Sequence, residues 1–180
     1  IFEIPEYLDD GKDEMLVGRC GFVLGNHWLQ KQLKAEIISQ DDMKELAQVM
    51  IKSGRKYARV NEHTVPLMYQ YHGREYLGAA HGVSTILLSL LNIPLENEDL
   101  NDVKITIDAI LALQDESGNF PSKFNKPQKA HLVHWCHGAP GIVFLMAKAY
   151  IIFNDQKYLD SYTLHIPLEV WRNSMEKRIA

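Results

Sequence analysis

Several histidines of this sequence lie close to one of its two cysteines or directly before a glycine. His134, Cys136 and His137 lie within four residues, and His81 directly precedes a glycine earlier in the chain. Thiolate and imidazole are the standard zinc donors, and a tetrahedral zinc site needs three or four protein ligands. The residues alone leave a second interpretation open, in which Cys136 is a small buried apolar residue and His81 a core histidine bonded to the backbone.

The other cysteine and the neighbouring tryptophan have plain structural explanations. Cys20 occupies a slot where later segments have Ala80 or Ala139, so a small side chain at a tight helix start accounts for it. Trp135 can simply pack under the preceding loop. Because two cysteines cannot build a disulfide framework, the sequence favours a reducing compartment.

Helical periodicity is the clearest pattern in the segments that must position these residues. Apolar side chains recur at helical spacing in three amphipathic stretches, over residues 39–58, 97–114 and 155–173. Ser39 and Asp42 resemble a capping box, and Gly54 is expected near the end of the first stretch. Pro167 predicts a kink or a new helix start within the last one.

Apolar stretches alternate with these amphipathic helices. They begin at Gly21, Gly82 and Gly141 and predict helices buried on every side. Gly18, Gly78 and Gly138 are 60 residues apart in both steps, which is typical of a repeat array. We therefore expect an all-α fold with an inner ring of helices wrapped by an outer ring. A closed ring needs more than three repeats, so the chain is expected to be part of a longer protein.

Equivalent helix starts in such a ring point to the same end, so we expect His81 and Cys136 to meet there. The loop 115–134, rich in turn residues, leads directly into the Cys136 segment. Loops of that length inside a compact domain are often functional.

Composition excludes several classes of protein. Hydrophobic residues make up 46% of the chain and charged residues 23%, as in globular domains. The formal net charge of -4, with no basic block, argues against nucleic-acid binding. No apolar run reaches the ~18 residues that a membrane span needs, and no signal-type stretch opens the sequence.

Long motifs resemble those of eukaryotic LanC-like (lanthionine synthetase C-like) proteins. They are GREYLGAAHG at residues 73–82 and LVHWCHGAPG at 132–141, with EMLVGRCG at 14–21 and DESGNFP at 115–121 as further matches. The resemblance spans about residues 13–173. It implies an α/α toroid, present here as a single incomplete domain over 1–180. About three helix-pair repeats would occupy residues 13–60, 74–114 and 132–173.

The resemblance also implies a zinc ion with Cys136 as one protein ligand and a Cys-His pair expected beyond Ala180. His81 corresponds to the family's proton donor, while His137 and Trp135 would bind substrate. The bacterial cyclases have an arginine four residues before the zinc cysteine, where this sequence has Leu132. They have an aromatic residue directly after that cysteine, where this sequence has His137, as in the eukaryotic branch. That branch implies addition of glutathione to dehydroalanine or dehydrobutyrine residues in proteins or peptides. It also implies a cytoplasmic location with peripheral association at the plasma membrane.

Two other functions stay open at this point. A toroid of this kind could bind glutathione or a partner protein without catalysis, with zinc serving only structure. α/α toroids also house glycosidases, which need two carboxylates at the mouth of the ring. Glu75 and Asp115 are the candidates for such a pair.

Overall fold

A computed structural model describes residues 12–125 and 132–163 of the chain. These residues form three consecutive pairs of helices. The helices are α1 (Arg19–Leu33), α2 (Gln40–Val60), α3 (Val83–Leu90), α4 (Asn97–Leu111), α5 (Ala139–Phe153) and α6 (Gln156–Thr163). The described residues contain no extended strand, only two isolated β-bridges. The expectation of an all-α fold is confirmed.

The amphipathic pattern over residues 39–58 forms helix α2. Ser39 caps the helix, because its hydroxyl oxygen accepts a hydrogen bond from the backbone N–H of Asp42 at 3.1 Å. The apolar stripe is buried, as shown by Met43, Met50 and Ile51. Burial of one continuous stripe is what fixes this helix against the core.

The expected end of α2 at Gly54 is wrong, because the helix continues to Val60. Gly54 serves packing instead of termination. A Cβ atom at this position would lie 2.5 Å from the ring of Tyr69, whose hydroxyl donates a hydrogen bond to the carbonyl of Met50. The missing side chain therefore lets the Tyr69 ring lie directly against the helix backbone.

Helices α1, α3 and α5 form an inner layer in which α3 packs against both neighbours, and α2, α4 and α6 lie beside their own inner partners. This order of inner and outer helices is an arc of an α/α toroid. Helix α3 is covered nearly all round, as expected. The expectation is wrong for α1 and α5, since Trp28 and Leu33 of α1 are exposed at 60% and 62%. In α5, Phe144 and Ile151 are exposed at 53% and 74%.

Two inner helices begin earlier than the glycine positions suggested. Helix α1 starts at Arg19 and α5 at Ala139, so Gly21 and Gly141 lie inside the first turns. Gly138 precedes α5 with φ of 105°, a left-handed conformation that favours glycine. None of the helices within 12–125 and 132–163 is long and apolar enough to cross a bilayer. The expected helix over 155–173 is described only as far as Thr163, so Pro167 lies outside the described residues.

Candidate functional site

The two longest sequence motifs meet through their backbones. A Cβ atom on Gly78 would lie 2.1 Å from the carbonyl oxygen of Cys136, so only glycine permits this approach. The backbone N–H of Ala79 donates a hydrogen bond to the carbonyl of Trp135 at 3.2 Å. The structure thus brings the segment that carries His81 directly against the segment that carries Cys136.

A tight turn presents Cys136. The backbone groups of His134 and His137 exchange two hydrogen bonds, at 2.8 and 3.1 Å, which leaves Trp135 and Cys136 at the tip. The indole of Trp135 is exposed at 40%. Cys136 is a half-buried free cysteine.

A buried amide side chain clamps this turn to the start of α5. The Asn119 side chain accepts a hydrogen bond from the backbone N–H of Ala139 at 2.8 Å and donates one to the carbonyl of Leu132 at 3.0 Å. Asn119 itself is held by Asp115, whose carboxylate accepts from the Asn119 backbone N–H. The start of the loop, residues 115–119, therefore helps to hold the cysteine segment through the Asn119 side chain.

His81 is held on two sides. Its ring stacks on Tyr71, with centroids 4.2 Å apart and planes 5° from parallel. Its Nδ1 atom lies 2.7 Å from Oε2 of Glu14. The imidazole remains partly open to solvent, with 27% of the side chain exposed. Its orientation is fixed while part of the side chain stays accessible.

Glu14 comes from the segment before α1, and its side chain is almost fully buried. The carboxylate also accepts hydrogen bonds from the backbone N–H groups of Leu16, at 2.8 Å, and Val17. Burial of a carboxylate is costly unless it is hydrogen-bonded in this way. The sequence analysis did not single out Glu14 as a functional residue. Its position in the EMLVGRCG motif, four residues before Gly18, is the one signal that could have indicated it.

Tyr76 connects the two histidines. Its ring centroid lies 6.2 Å from that of His81 and 5.4 Å from that of His137. Burial, followed by the charges of His81, His134 and Lys123, lowers the pKa of His137. The Nδ1 atom of His137 is buried and has no hydrogen-bond partner among the described residues. We use the name mouth cluster for Glu14, Tyr71, Tyr76, His81, Cys136 and His137.

The donor set for a metal is incomplete within the part of the chain that the structure describes. No group of three or more His, Cys, Asp or Glu side chains there is arranged to hold a metal ion. Cys136 is free and reachable, and the orphaned Nδ1 of His137 lies on the next residue. The described residues therefore supply one reachable free thiol, Cys136, of the kind that zinc accepts as a donor.

The second cysteine has no place in this chemistry. Cys20 is fully buried in α1, and its thiol contacts the carbonyl of Thr85 at 3.2 Å. Burial raises the pKa of the thiol to about 12, even though a hydrogen bond with Ser89 opposes the shift. Such a thiol is neither a nucleophile nor a metal ligand near neutral pH.

The two carboxylates considered for glycoside hydrolysis are occupied elsewhere. Glu75 lies 2.8 Å from Nε2 of His63 and accepts a hydrogen bond from the Tyr57 hydroxyl at 3.2 Å. Asp115 accepts hydrogen bonds from Ser117 and from the backbone of Asn119. Both hold local structure, so the geometry does not favour a carboxylate pair at the mouth cluster.

Comparison with protein families gives a match over nearly the whole chain. The family model described as lanthionine synthetase C-like protein matches residues 3–178. The matched range includes every residue of the mouth cluster and the starts of all three inner helices. It also covers the described part of each helix pair.

Proposed function

Because this chain belongs to the lanthionine synthetase C-like protein family, we propose that it takes part in thioether formation, as a transferase that adds glutathione to dehydroalanine or dehydrobutyrine residues of proteins or peptides. The observation that supports this proposal most strongly is the fixed His81, backed by Glu14, beside the segment of Cys136. A positioned proton donor next to a thiol-binding group is what such an addition requires.

The reaction balances with one proton moved by this chain. The glutathione thiolate forms a bond from sulfur to the β-carbon of the dehydroamino acid, and the carbon–carbon π bond breaks toward the carbonyl. The α-carbon of the resulting enolate then takes a proton, which we assign to His81. The imidazole regains a proton from solvent, into which the glutathione thiol released its own. Glu14 at Nδ1 and the stacked ring of Tyr71 hold the imidazole in one orientation, and we assign the proton transfer to the other nitrogen, Nε2.

Cys136 is proposed as one zinc ligand, with the remaining protein ligands supplied by a Cys-His pair beyond Ala180. A half-buried free thiol at the tip of a turn fits this role. When bound there, zinc would keep the glutathione sulfur deprotonated at neutral pH. The chain itself contributes the rigid placement of Cys136, through Gly78 and the Asn119 clamp.

Trp135 and His137 are proposed to contact substrate. The exposed indole of Trp135 offers apolar surface at the tip of the turn. The ring of His137 lies beside that of Tyr76, with centroids 5.4 Å apart, on the residue that follows Cys136. Imidazole nitrogens form hydrogen bonds with peptide groups, which suits a peptide substrate.

A cytoplasmic location, with peripheral association at the plasma membrane, belongs to the same proposal. The described residues include two cysteines, Cys20 and Cys136, and both are free. Free thiols are maintained where glutathione keeps the compartment reducing.

The central test uses the full-length gene product with zinc, glutathione and a dehydroalanine peptide. We expect a product whose mass has increased by one glutathione. The variant His81→Ala should lose about 10²- to 10⁴-fold in rate, whereas His27→Ala, which alters an exposed histidine of α1, should keep full activity.

Metal content tests the role of Cys136 as a zinc ligand separately from the role of His81 as a proton donor. Elemental analysis should find zinc in the wild-type protein and in Cys20→Ala, and less zinc in Cys136→Ala. Full activity of His81→Ala would contradict the assignment of the proton donor. Zinc retained at full occupancy in Cys136→Ala would contradict the ligand assignment. A protein that binds glutathione and zinc but forms no thioether would instead be the non-catalytic binding toroid.

A further inference from the structure

Two cationic side chains flank Tyr76 on the side of the mouth cluster. The guanidinium of Arg74 donates a hydrogen bond from Nη1 to the Tyr76 hydroxyl at 3.3 Å. Lys123 is paired with Tyr76 across an antiparallel β-bridge. Residues directly opposite in such a bridge project their side chains from the same face. Arg74 and Lys123 therefore both lie next to the ring that contacts His81 and His137.

Neither cation is neutralised by a carboxylate of the described residues. Glu75 lies between Arg74 and Tyr76 in sequence, but it faces the opposite way and contacts His63. Successive residues of an extended segment alternate between its two faces, which explains this separation. The other acidic side chain near the cluster, Glu14, is already committed to His81 and to backbone N–H groups.

The surroundings favour an anionic ligand over a neutral one. Arginine presents planar donors that match a carboxylate in a two-point contact, and lysine adds a mobile point charge. Arg74 is exposed and Lys123 half-buried, so both are reachable by a ligand above Tyr76. Glutathione carries two carboxylates on a flexible peptide, whereas simple thiols such as cysteamine carry none.

We propose that Arg74 and Lys123 bind a carboxylate of the thiol substrate and so select an anionic peptide thiol over neutral or cationic thiols. This inference rests on the proposed function, because it assigns the thiol to the mouth cluster. Arg74 and Lys123 determine binding and specificity in this scheme, and neither takes part in the proton transfer.

The test measures binding of S-methylglutathione to the full-length gene product by isothermal titration calorimetry. The methylated sulfur makes the result independent of thiol chemistry. We expect Arg74→Ala and Lys123→Ala to weaken binding by about 10-fold each, as for a lost hydrogen bond to a charged group. Arg74→Lys should recover part of the loss. Lys52→Ala, on the exposed face of α2, should bind like the wild type.

A second probe isolates the carboxylates. The diamide of S-methylglutathione should bind weakly and with the same affinity to wild type and to the Arg74→Ala variant. Equal affinity of the diamide and the acid for the wild type would overturn the proposal. The proposal would also be overturned if the Arg74→Ala/Lys123→Ala double variant, with an unchanged melting temperature, bound S-methylglutathione as tightly as the wild type. A wild type that does not bind S-methylglutathione at millimolar concentration would overturn it as well.

Failure here is distinguishable from failure of the proposed function. Thioether formation with an unchanged KM for glutathione in the double variant would reject the anion-binding pair and leave the reaction standing. Charge-dependent binding of S-methylglutathione without any thioether product would support the pair and reject the reaction. If both hold, the double variant should raise KM for glutathione more than KM for cysteamine, with kcat little changed.

Discussion

Glu14 and His81 are 67 residues apart in sequence, yet Oε2 of one lies 2.7 Å from Nδ1 of the other. The segment before the first inner helix thus supplies the group that orients the histidine of the second motif. Only 1% of the Glu14 side chain is exposed, against 27% for His81. The buried member is the fixed one, and the histidine is the one that can reach a substrate.

The variant Glu14→Gln should lower kcat for glutathione addition by at least about 10-fold, and by less than the ~10²–10⁴-fold that a missing general acid costs. The amide removes the carboxylate beside Nδ1 of His81 and leaves the imidazole in place. KM for glutathione should change little, because Glu14 has no access to substrate. Steady-state kinetics of Glu14→Gln and His81→Ala, each compared with the wild type, gives kcat and KM for both variants.

A double-variant comparison shows whether Glu14 acts through His81. The Glu14→Gln/His81→Ala protein should be no slower than His81→Ala alone, because the carboxylate has nothing left to orient. A multiplicative loss in the double variant would mean that Glu14 acts independently of the histidine.

Much of the fold could be predicted from periodicity because one face of each outer helix is buried. The stripe over 39–58 became α2 for that reason, and the turn residues near Asp115 became a loop. The extent of α2 could not be predicted, since Gly54 in isolation indicates a helix end. Only the Tyr69 ring packed against it shows why the helix continues.

The candidate site could be predicted in part for a similar reason. Repeat spacing placed His81 and Cys136 at one end of the ring, and their segments do pack together. The contacts of Tyr71 and Glu14 could not be predicted, because they join distant segments whose register follows from tertiary packing. The roles of His81, Cys136, His137 and Trp135 remain predictions.

The approach of Gly78 to Cys136 predicts a sharp contrast between two glycine variants. Gly78→Ala would place a Cβ atom 2.1 Å from the Cys136 carbonyl and should destabilise the protein by about 1–3 kcal/mol. Gly25→Ala, in α1 with no atom within 4 Å of the new Cβ, should stabilise it by about 0.5–1 kcal/mol. Urea unfolding measures both. Equal effects would contradict the close approach.

Cys20 predicts a loss of stability at alkaline pH. Burial raises the pKa of its thiol from 9.0 to about 12, so the folded state keeps a proton that the unfolded chain releases. The contribution of the protonated Cys20 thiol to the free energy of unfolding is complete below pH 9. It falls between pH 9 and 12, by about 1.4 kcal/mol per pH unit. The Cys20→Ala variant should lack this part of the slope. Unfolding free energies of both proteins at pH 8.0, 9.5 and 10.5, under reducing conditions, test the difference. Parallel curves would show that the thiol titrates normally.

The Asn119 clamp predicts that one amide controls the exposure of Cys136. Asn119→Ala leaves the buried backbone N–H of Ala139 without its acceptor, which should cost about 1–3 kcal/mol. Freed from Leu132, the turn should also expose its cysteine, so alkylation of Cys136 by iodoacetamide should accelerate.

The measurement uses a Cys20→Ala background, in which Cys136 is the one cysteine of the sequence. Asn61→Ala is the matched control, since that exposed amide donates a hydrogen bond to the Tyr57 carbonyl at the surface, and its loss should cost less than about 0.5 kcal/mol. Unchanged alkylation in Asn119→Ala, despite lower stability, would mean that the turn between His134 and His137 holds Cys136 without the clamp.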